Sequence, residues 1–249
     1  VATSIKEINS AANSTFKELA TLVASKGIQK NRSAIISGDK FVQEILKDHG
    51  DRVTTWITID ETPPPRSVSH WYRLAKPLFD ELDVFGTGKP LIVVTAPELQ
   101  SYKEKDPWPT GCTLFVPFQN PDNCGAVIRT AAAFGVRRIV LLKEAANPFH
   151  PKSTRAAGPA LFKLELLRGP SINELIFNDV PYVSLSGEGS PLSQFKFPER
   201  FALIPGIEGP GVPIHLRPHA ISIPISLDVE SLNAATATAI ALYEWKRPK

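Results

Sequence analysis

The stretch CTLFVPFQNPDNCGAVIRTAAAFGVRRIVLL, residues 112–142, decides the fold. It opens on a short apolar run, passes through a polar loop into a segment with helical spacing from Cys124 to Phe134, and closes on a second apolar run, RRIVLL. Short apolar runs that alternate with helices predict parallel strands buried on both faces. Within the helix, Val127, Ala131 and Phe134 form the inward stripe, Asp122 or Asn123 is placed to cap the N-terminus, and Gly125 permits close approach of a backbone or ligand. Further on, PYVSL at 181–185, FALIP at 201–205 and AISIPI at 220–225 repeat the apolar run, and a closing helix is expected from Ser231 to about Trp245. Ligands of such sheets gather at the carboxyl ends of the strands, so the loops after these runs are where chemistry is to be sought.

Upstream the pattern changes. SYKEKDPWPTG at 101–111 combines charges, two prolines and a glycine without apolar periodicity, which reads as an interdomain linker. The expected division is a domain over 1–105, a linker over 106–111 and a second domain over 112–249. In the first part, Phe16, Leu19, Leu22 and Val23 follow helical spacing, as do Phe41, Ile45 and Leu46. AII at 34–36, TTWITI at 54–59 and PLIVV at 90–94 look like strands, so a small mixed α/β unit precedes the parallel one.

Composition narrows the function. In 249 residues, 43% hydrophobic and 21% charged, a real core is available, which excludes disorder and a disulfide-stapled miniprotein. Residues 1–111 hold 14 basic and 14 acidic side chains of the chain's 28 and 25, leaving 14 and 11 for the rest, so the whole basic excess lies in the second part. Cys112 and Cys124 are too few for a disulfide framework and sit in no metal-ligand spacing. Reduced thiols in a cytoplasmic protein are expected, with no signal peptide and no membrane span. His49, His70, His150, His215 and His219 show neither metal spacing nor a triad pattern, so no metal is expected.

Three loops carry the polar residues of interest. In QNPDNCGAVIRTAAAFGV, 119–136, Arg129 falls off the buried stripe; it is either a solvated helix arginine or a planar five-donor fork suited to phosphate. FALIPGIEGPGV, 201–212, runs from a strand into three glycines around Glu208, which reads as a tight turn or a backbone cradle. Its GxxGxG spacing differs from the dinucleotide fingerprint GxGxxG, which counts against a nicotinamide site. In ISIPISLDVESLNAATATAIALYEWKR, 221–247, Ser231 is placed to cap the last helix, and Asn233 in its first turn is unexpected because Asn disfavours helix interiors.

Taken in order and spacing, NPDNCGAVIRTAAAFG, IPGIEGPG and IPISLDVESLNAATATAIALYE resemble the three motifs of the SpoU/TrmH family of SPOUT RNA methyltransferases. The first part, through SIKE, AIISGDKFVQEIL and TGKPLIVV, is similar to the ribosomal-protein-like substrate-binding domain of many members, with Ser37 standing where the family usually has Glu. The resemblance implies transfer of a methyl group from S-adenosylmethionine to a ribose 2′-hydroxyl of structured RNA, rRNA ahead of tRNA. It also implies a homodimer whose α/β parallel-sheet domain has a trefoil knot at its C-terminal end. By residue, it implies catalytic positions at Asn123, Arg129, Glu208, Ser231 and Asn233, and cofactor-holding positions at Gly206, Ile223 and Leu232. Pro205, Ile207, Ala157 and the Ala234–Ala235 pair depart from the family pattern without removing any of those polar groups.

A guanidinium stays protonated in proteins, so the expected role of Arg129 is to clamp a neighbouring phosphate and stabilise developing alkoxide charge rather than act as base. Asn123, Ser231 and Asn233 are expected to orient Arg129 and the ribose, and Glu208 to fix the glycine loop or pair with a cation. Lys152, Arg155 and Arg217 are candidate RNA backbone contacts. The rival readings are a catalytically silent RNA-binding protein, which cofactor binding would distinguish, and a nucleotide-dependent dehydrogenase, which lacks its fingerprint here.

Overall fold

The computed structural model describes residues 4–247. In chain order its elements are β1 (Ile5–Ile8), α1 (Ser14–Thr21), α2 (Ser25–Asn31), β2 (Ser33–Ile36), α3 (Asp39–Asp48), β3 (Val53–Thr58), β4 (His70–Leu74), α4 (Lys76–Leu82) and β5 (Leu91–Thr95). There follow β6 (Gln100–Ser101), β7 (Gly111–Val116), α5 (Pro121–Ala133), β8 (Arg138–Leu141), α6 (Pro151–Ala157) and β9 (Glu165–Arg168). The last four are β10 (Tyr182–Pro191), β11 (Arg200–Ile204), β12 (Ala220–Ser222) and α7 (Ala234–Lys246). The chain forms two compact units, one of residues up to Glu98 together with Phe149–Pro159, the other of Leu99–Pro148 and Ala160 onward.

The first unit is built on a mixed five-stranded sheet in the order β1-β4-β3-β5-β2, in which β5 alone runs against its neighbours. Asn13 starts α1 by accepting hydrogen bonds on Oδ1 from the amides of Thr15 and Phe16, at 2.9 and 3.3 Å. That helix turns Phe16 and Leu19 onto Ile8, Ile57, Leu74 and Phe79, which form the core on that side of the sheet. α6 packs on β2, and its Arg155 guanidinium lies 4.2 Å from the ring centroid of Phe85. Arg155, expected as an RNA contact, is thus held by a cation–π interaction within this unit.

The second unit is a seven-stranded sheet in the order β12-β10-β11-β7-β8-β9-β6, with every pair parallel. All six residues of β7 are buried, as two covered faces require.

The division of the chain differs from the expected one. Residues 99–111 belong to the second unit: β6 pairs with β9, the Tyr102 amide donates to the Arg168 carbonyl at 2.8 Å, and Tyr102 and Trp108 pack on Phe115 at 5.3 and 6.0 Å between ring centroids. The charges and prolines of that segment conceal two aromatic side chains that extend the core. Phe149–Pro159, expected within 112–249, joins the first unit, where α6 packs on β2.

Candidate active site

From β7 the chain lays β8 and β9 to one side, then returns to place β11 and β10 on the other, so the order in which parallel strands are added reverses between β7 and β11. Loops leaving adjacent parallel strands at such a point diverge and leave a crevice at their carboxyl ends. Here those loops are 117–120 and 205–212, and Glu208 joins them. Its Oε2 accepts from the amides of Gln119 and Asn120 at 3.0 and 3.1 Å, and its Oε1 accepts from Asn123 Nδ2. One carboxylate therefore satisfies backbone donors just ahead of α5 and fixes the side chain of Asn123 on it.

The glycine loop owes its shape to its own backbone. Ile207 and Gly211 exchange both N–H···O bonds at 2.9 Å, and Gly209 and Gly211 have φ of 89° and 73°, the region that favours glycine. Gly206 is held more tightly still: a Cβ there would lie 2.8 Å from the Gly211 Cα.

The cap assignments differ from the expected ones. Asn120, not Asp122 or Asn123, caps α5, accepting on Oδ1 from the Asp122 and Asn123 amides at 2.8 and 3.4 Å. Asn233, not Ser231, caps α7, accepting on Oδ1 from the Ala235 and Thr236 amides at 2.9 and 3.1 Å. An N-cap is where Asn is favoured, which removes the anomaly of an Asn inside the helix. The free amide of Asn233 donates to Asn123 Oδ1 at 3.2 Å, giving a continuous line Asn233–Asn123–Glu208 from all three loops.

Beside that line lies a cavity of about 1180 Å³. The positions expected to hold a cofactor, Gly206, Ile223 and Leu232, are on its wall, with Asn123, Glu208, Ser231 and Asn233. Arg129 is exposed on α5 and is not on that wall. Cys124 lies beneath the site with its thiol pushed up to about 12 by burial and, less, by the charge of Glu208, so it is a neutral donor to the Ala146 carbonyl at 3.5 Å. Among the described residues no group of three or more His, Cys, Asp or Glu side chains is placed to hold a metal, and no helix is long and apolar enough to cross a membrane.

Asn120 and the Gln119 amide escaped the sequence reading. The signal was present in Asn120–Pro121, because Pro at the first helical position marks the preceding residue as the cap. Arg217 is also on the cavity wall, bonded to the protein at both ends of its guanidinium.

Residues 113–243 match the model of the SpoU rRNA Methylase family. Over 250 residues the chain is 32% identical to the 23S rRNA (guanosine(2553)-2′-O)-methyltransferase RlmP of Bacillus subtilis, covering 96% of this chain and 98% of that one. Over 246 residues it is 45% identical to a protein of Syntrophobacter fumaroxidans named ribosomal RNA small subunit methyltransferase G 2, covering 97% of this chain but 49% of that one; it spans about half the length of that relative. The fold is similar to that of the SpoU methyltransferase AviRb of Streptomyces viridochromogenes, solved in complex with the cofactor AdoMet, with a TM-score of 0.79 at 24% identity over 94% of this chain and 97% of that one. With three motif loops joined through Glu208 where the strand order of a parallel sheet turns back, and a relative matched from end to end, the chain belongs to the SpoU rRNA methylase family.

Proposed function

We propose that the protein methylates a ribose 2′-hydroxyl of rRNA as a homodimer, using S-adenosylmethionine held in the cavity beside Glu208. The observation that carries this reading is the line Asn233–Asn123–Glu208, which draws residues from three separate loops to one wall of that cavity. One relative matched along its whole length is a 23S rRNA 2′-O-methyltransferase, which supports rRNA as the substrate. The cavity suits the cofactor in chemistry: Ile207, Ile221, Ile223 and Leu232 offer apolar contact, and the turns at 205–212 and 223–233 offer main-chain groups to a base and ribose.

When bound, S-adenosylmethionine supplies the activated methyl group. The chain's part is positioning, because in-line placement alone can contribute a large share of the barrier reduction. Glu208 holds the 119–123 segment and the glycine loop at fixed separation, and so orients Asn123. Asn233, fixed as the cap of α7, presents its amide to the same point, and Ser231 stands beside it. Arg129 clamps the phosphate next to the ribose and stabilises charge developing on the oxygen, while the proton leaves to phosphate or water.

Arg129 lies outside the cavity of its own chain, so the clamp belongs to the site of a second copy. Exposed Ile214, Leu227, Val229 and Tyr243 supply apolar surface for that contact. The C-terminal segment carries the trefoil knot implied by the family resemblance, and the first unit recognises RNA by shape, through backbone and 2′-hydroxyl contacts.

The test is transfer of labelled methyl from S-adenosylmethionine to rRNA, with ribose-methylation mapping of the product. One cofactor site per chain and a single methylated ribose are expected; NAD binding without a response to S-adenosylmethionine would end this reading. Arg129→Lys and Arg129→Ala should both lose most of the rate with cofactor affinity unchanged. Mixing Arg129→Ala with Glu208→Ala chains should restore part of the activity, because one of the two mixed sites is then intact. No restoration in a verified mixed dimer would place Arg129 in its own chain's site.

A further inference from the structure

β10 does not run straight along β12. Leu185 and Ser190 both pair with Ile221, so Ser186–Gly189 is pushed out of the ladder. This extruded turn is pinned to β12 by the Ser222 hydroxyl, which donates to the Gly189 carbonyl at 2.8 Å. Gly189 is also so close that a Cβ there would meet the Ala220 carbonyl carbon at 2.5 Å. Ser186 and Gly187 form one part of the cavity wall, and the glycine loop through Val212 forms another.

Arg217 is bonded to both parts. It sits on the 3-10 turn Ile214–His219, which is tied to β10 by the buried Ser184 hydroxyl donating to the Leu216 carbonyl at 2.8 Å. From there its Nε donates to the Val212 carbonyl at 3.1 Å and its Nη1 to Glu188 Oε2 at 3.2 Å. Two donors on opposite sides of one rigid plane fix the separation of their acceptors, which the single nitrogen of lysine cannot do.

We infer that Arg217 is a positioning residue that sets the width of the cofactor cavity by bridging the extruded turn at Glu188 to the end of the glycine loop at Val212. This rests on the cavity being the cofactor site. Its consequence is that Arg217 governs cofactor affinity, because two of its five donors hold the two parts of the cavity wall together. A loop held in its bound shape binds without the cost of being ordered, and releasing it weakens binding while the chemical step is retained.

The experiment is calorimetry with S-adenosylhomocysteine on the full chain, paired with steady-state methylation. Arg217→Ala should raise the cofactor Kd about tenfold, the equivalent of one hydrogen bond to a charged group. The KM for cofactor should follow, kcat at saturating cofactor should fall less than about threefold and the KM for RNA should hold. Arg217→Lys should not rescue. Glu188→Gln, which keeps an acceptor oxygen on an exposed side chain, should raise the Kd less, and Arg217→Ala with Glu188→Ala should be no worse than Arg217→Ala alone, since both break one bridge. A raised KM for RNA with unchanged cofactor Kd, or full rescue by lysine, would overturn the inference and leave the methyltransferase reading standing. A wild-type chain that binds no S-adenosylhomocysteine would overturn both.

Discussion

The buried carboxylate of the first unit and the site carboxylate of the second do opposite things with the same chemistry. Asp83 accepts from the Thr87 hydroxyl at 3.1 Å and the Gly88 amide at 2.7 Å, four and five residues away. Glu208 accepts from donors 85 to 89 residues away. A carboxylate with local partners shapes its own turn; one with distant partners joins loops that share nothing else. Sheet direction decides which is possible. In the first sheet β5 runs against β3 and β2, and its amino end falls among the carboxyl ends of its neighbours, whereas the all-parallel second sheet delivers its loops to one edge.

This contrast predicts that the two acids fail differently. Glu208→Ala leaves two amides and Asn123 without their acceptor, and methylation should drop about 10²- to 10³-fold, the range for losing a preorganised polar group at a reacting centre. Glu208→Gln, which still accepts from the amides of Gln119 and Asn120, should lose less. Rate measurements on both variants, at cofactor concentrations that saturate the wild type, would break the comparison if the alanine variant stayed within tenfold of it. Asp83→Ala should instead cost about 1–3 kcal/mol of stability in urea unfolding, the price of unmade hydrogen bonds at a buried site, with methylation per folded molecule retained.

The boundary between the units gives a smaller effect. If residues 99–111 are core of the second unit, Trp108→Ala should destabilise by about 2 kcal/mol, below the range for a fully buried Trp because this one is half-buried. Hydrogen exchange should show the loss in β7, β8 and β9 and leave β3 and β5 protected. Equal loss in both sheets would erase the boundary.

Smallest is the effect of the thiols. Burial raises both Cys112 and Cys124, the latter to about 12 from an ordinary 9, so the native protein should keep both unmodified by iodoacetamide at pH 8, with mass spectrometry as the readout. The raised value stabilises the fold fully below pH 9, where the unfolded thiol is also neutral, and this contribution is lost as pH rises from 9 toward 12.

Much of this was legible in the sequence where one principle acted alone. β2, β3, β5, β7, β8 and β11 follow from short runs rich in apolar and β-branched residues, and the three loops that meet at Glu208 are the three that carry the motifs. What escaped needed a partner to be seen. β4 reads HWYRL, with Arg73 at its centre of charge bonded to Glu7 and Glu61, so no apolar run marks it. β6 has two residues and exists through β9. Tyr102 and Trp108 lie among charges and prolines, and only the position of Phe115 makes them core. At the site, the resemblance implies that Gly206 holds the cofactor; the nearest obstacle to a side chain there is the backbone of Gly211, a fact of loop closure that spacing does not carry. The sequence makes Arg217 a candidate RNA backbone contact; its two acceptors, Val212 and Glu188, lie on separate segments and only the fold brings them to it.

The excursion of Phe149–Pro159 into the first unit has a consequence for synthesis and for the shuffling of domains. The polypeptide crosses between the units three times, after Glu98, after Pro148 and after Pro159. The first unit therefore lacks its last helix until residue 159 has been synthesised, after β7, α5 and β8 of the second. A gene cut at any single point yields one incomplete unit, and a single proteolytic nick releases neither. What reads as an amino-terminal module joined by a tether is, in covalent terms, a fold within which the other begins.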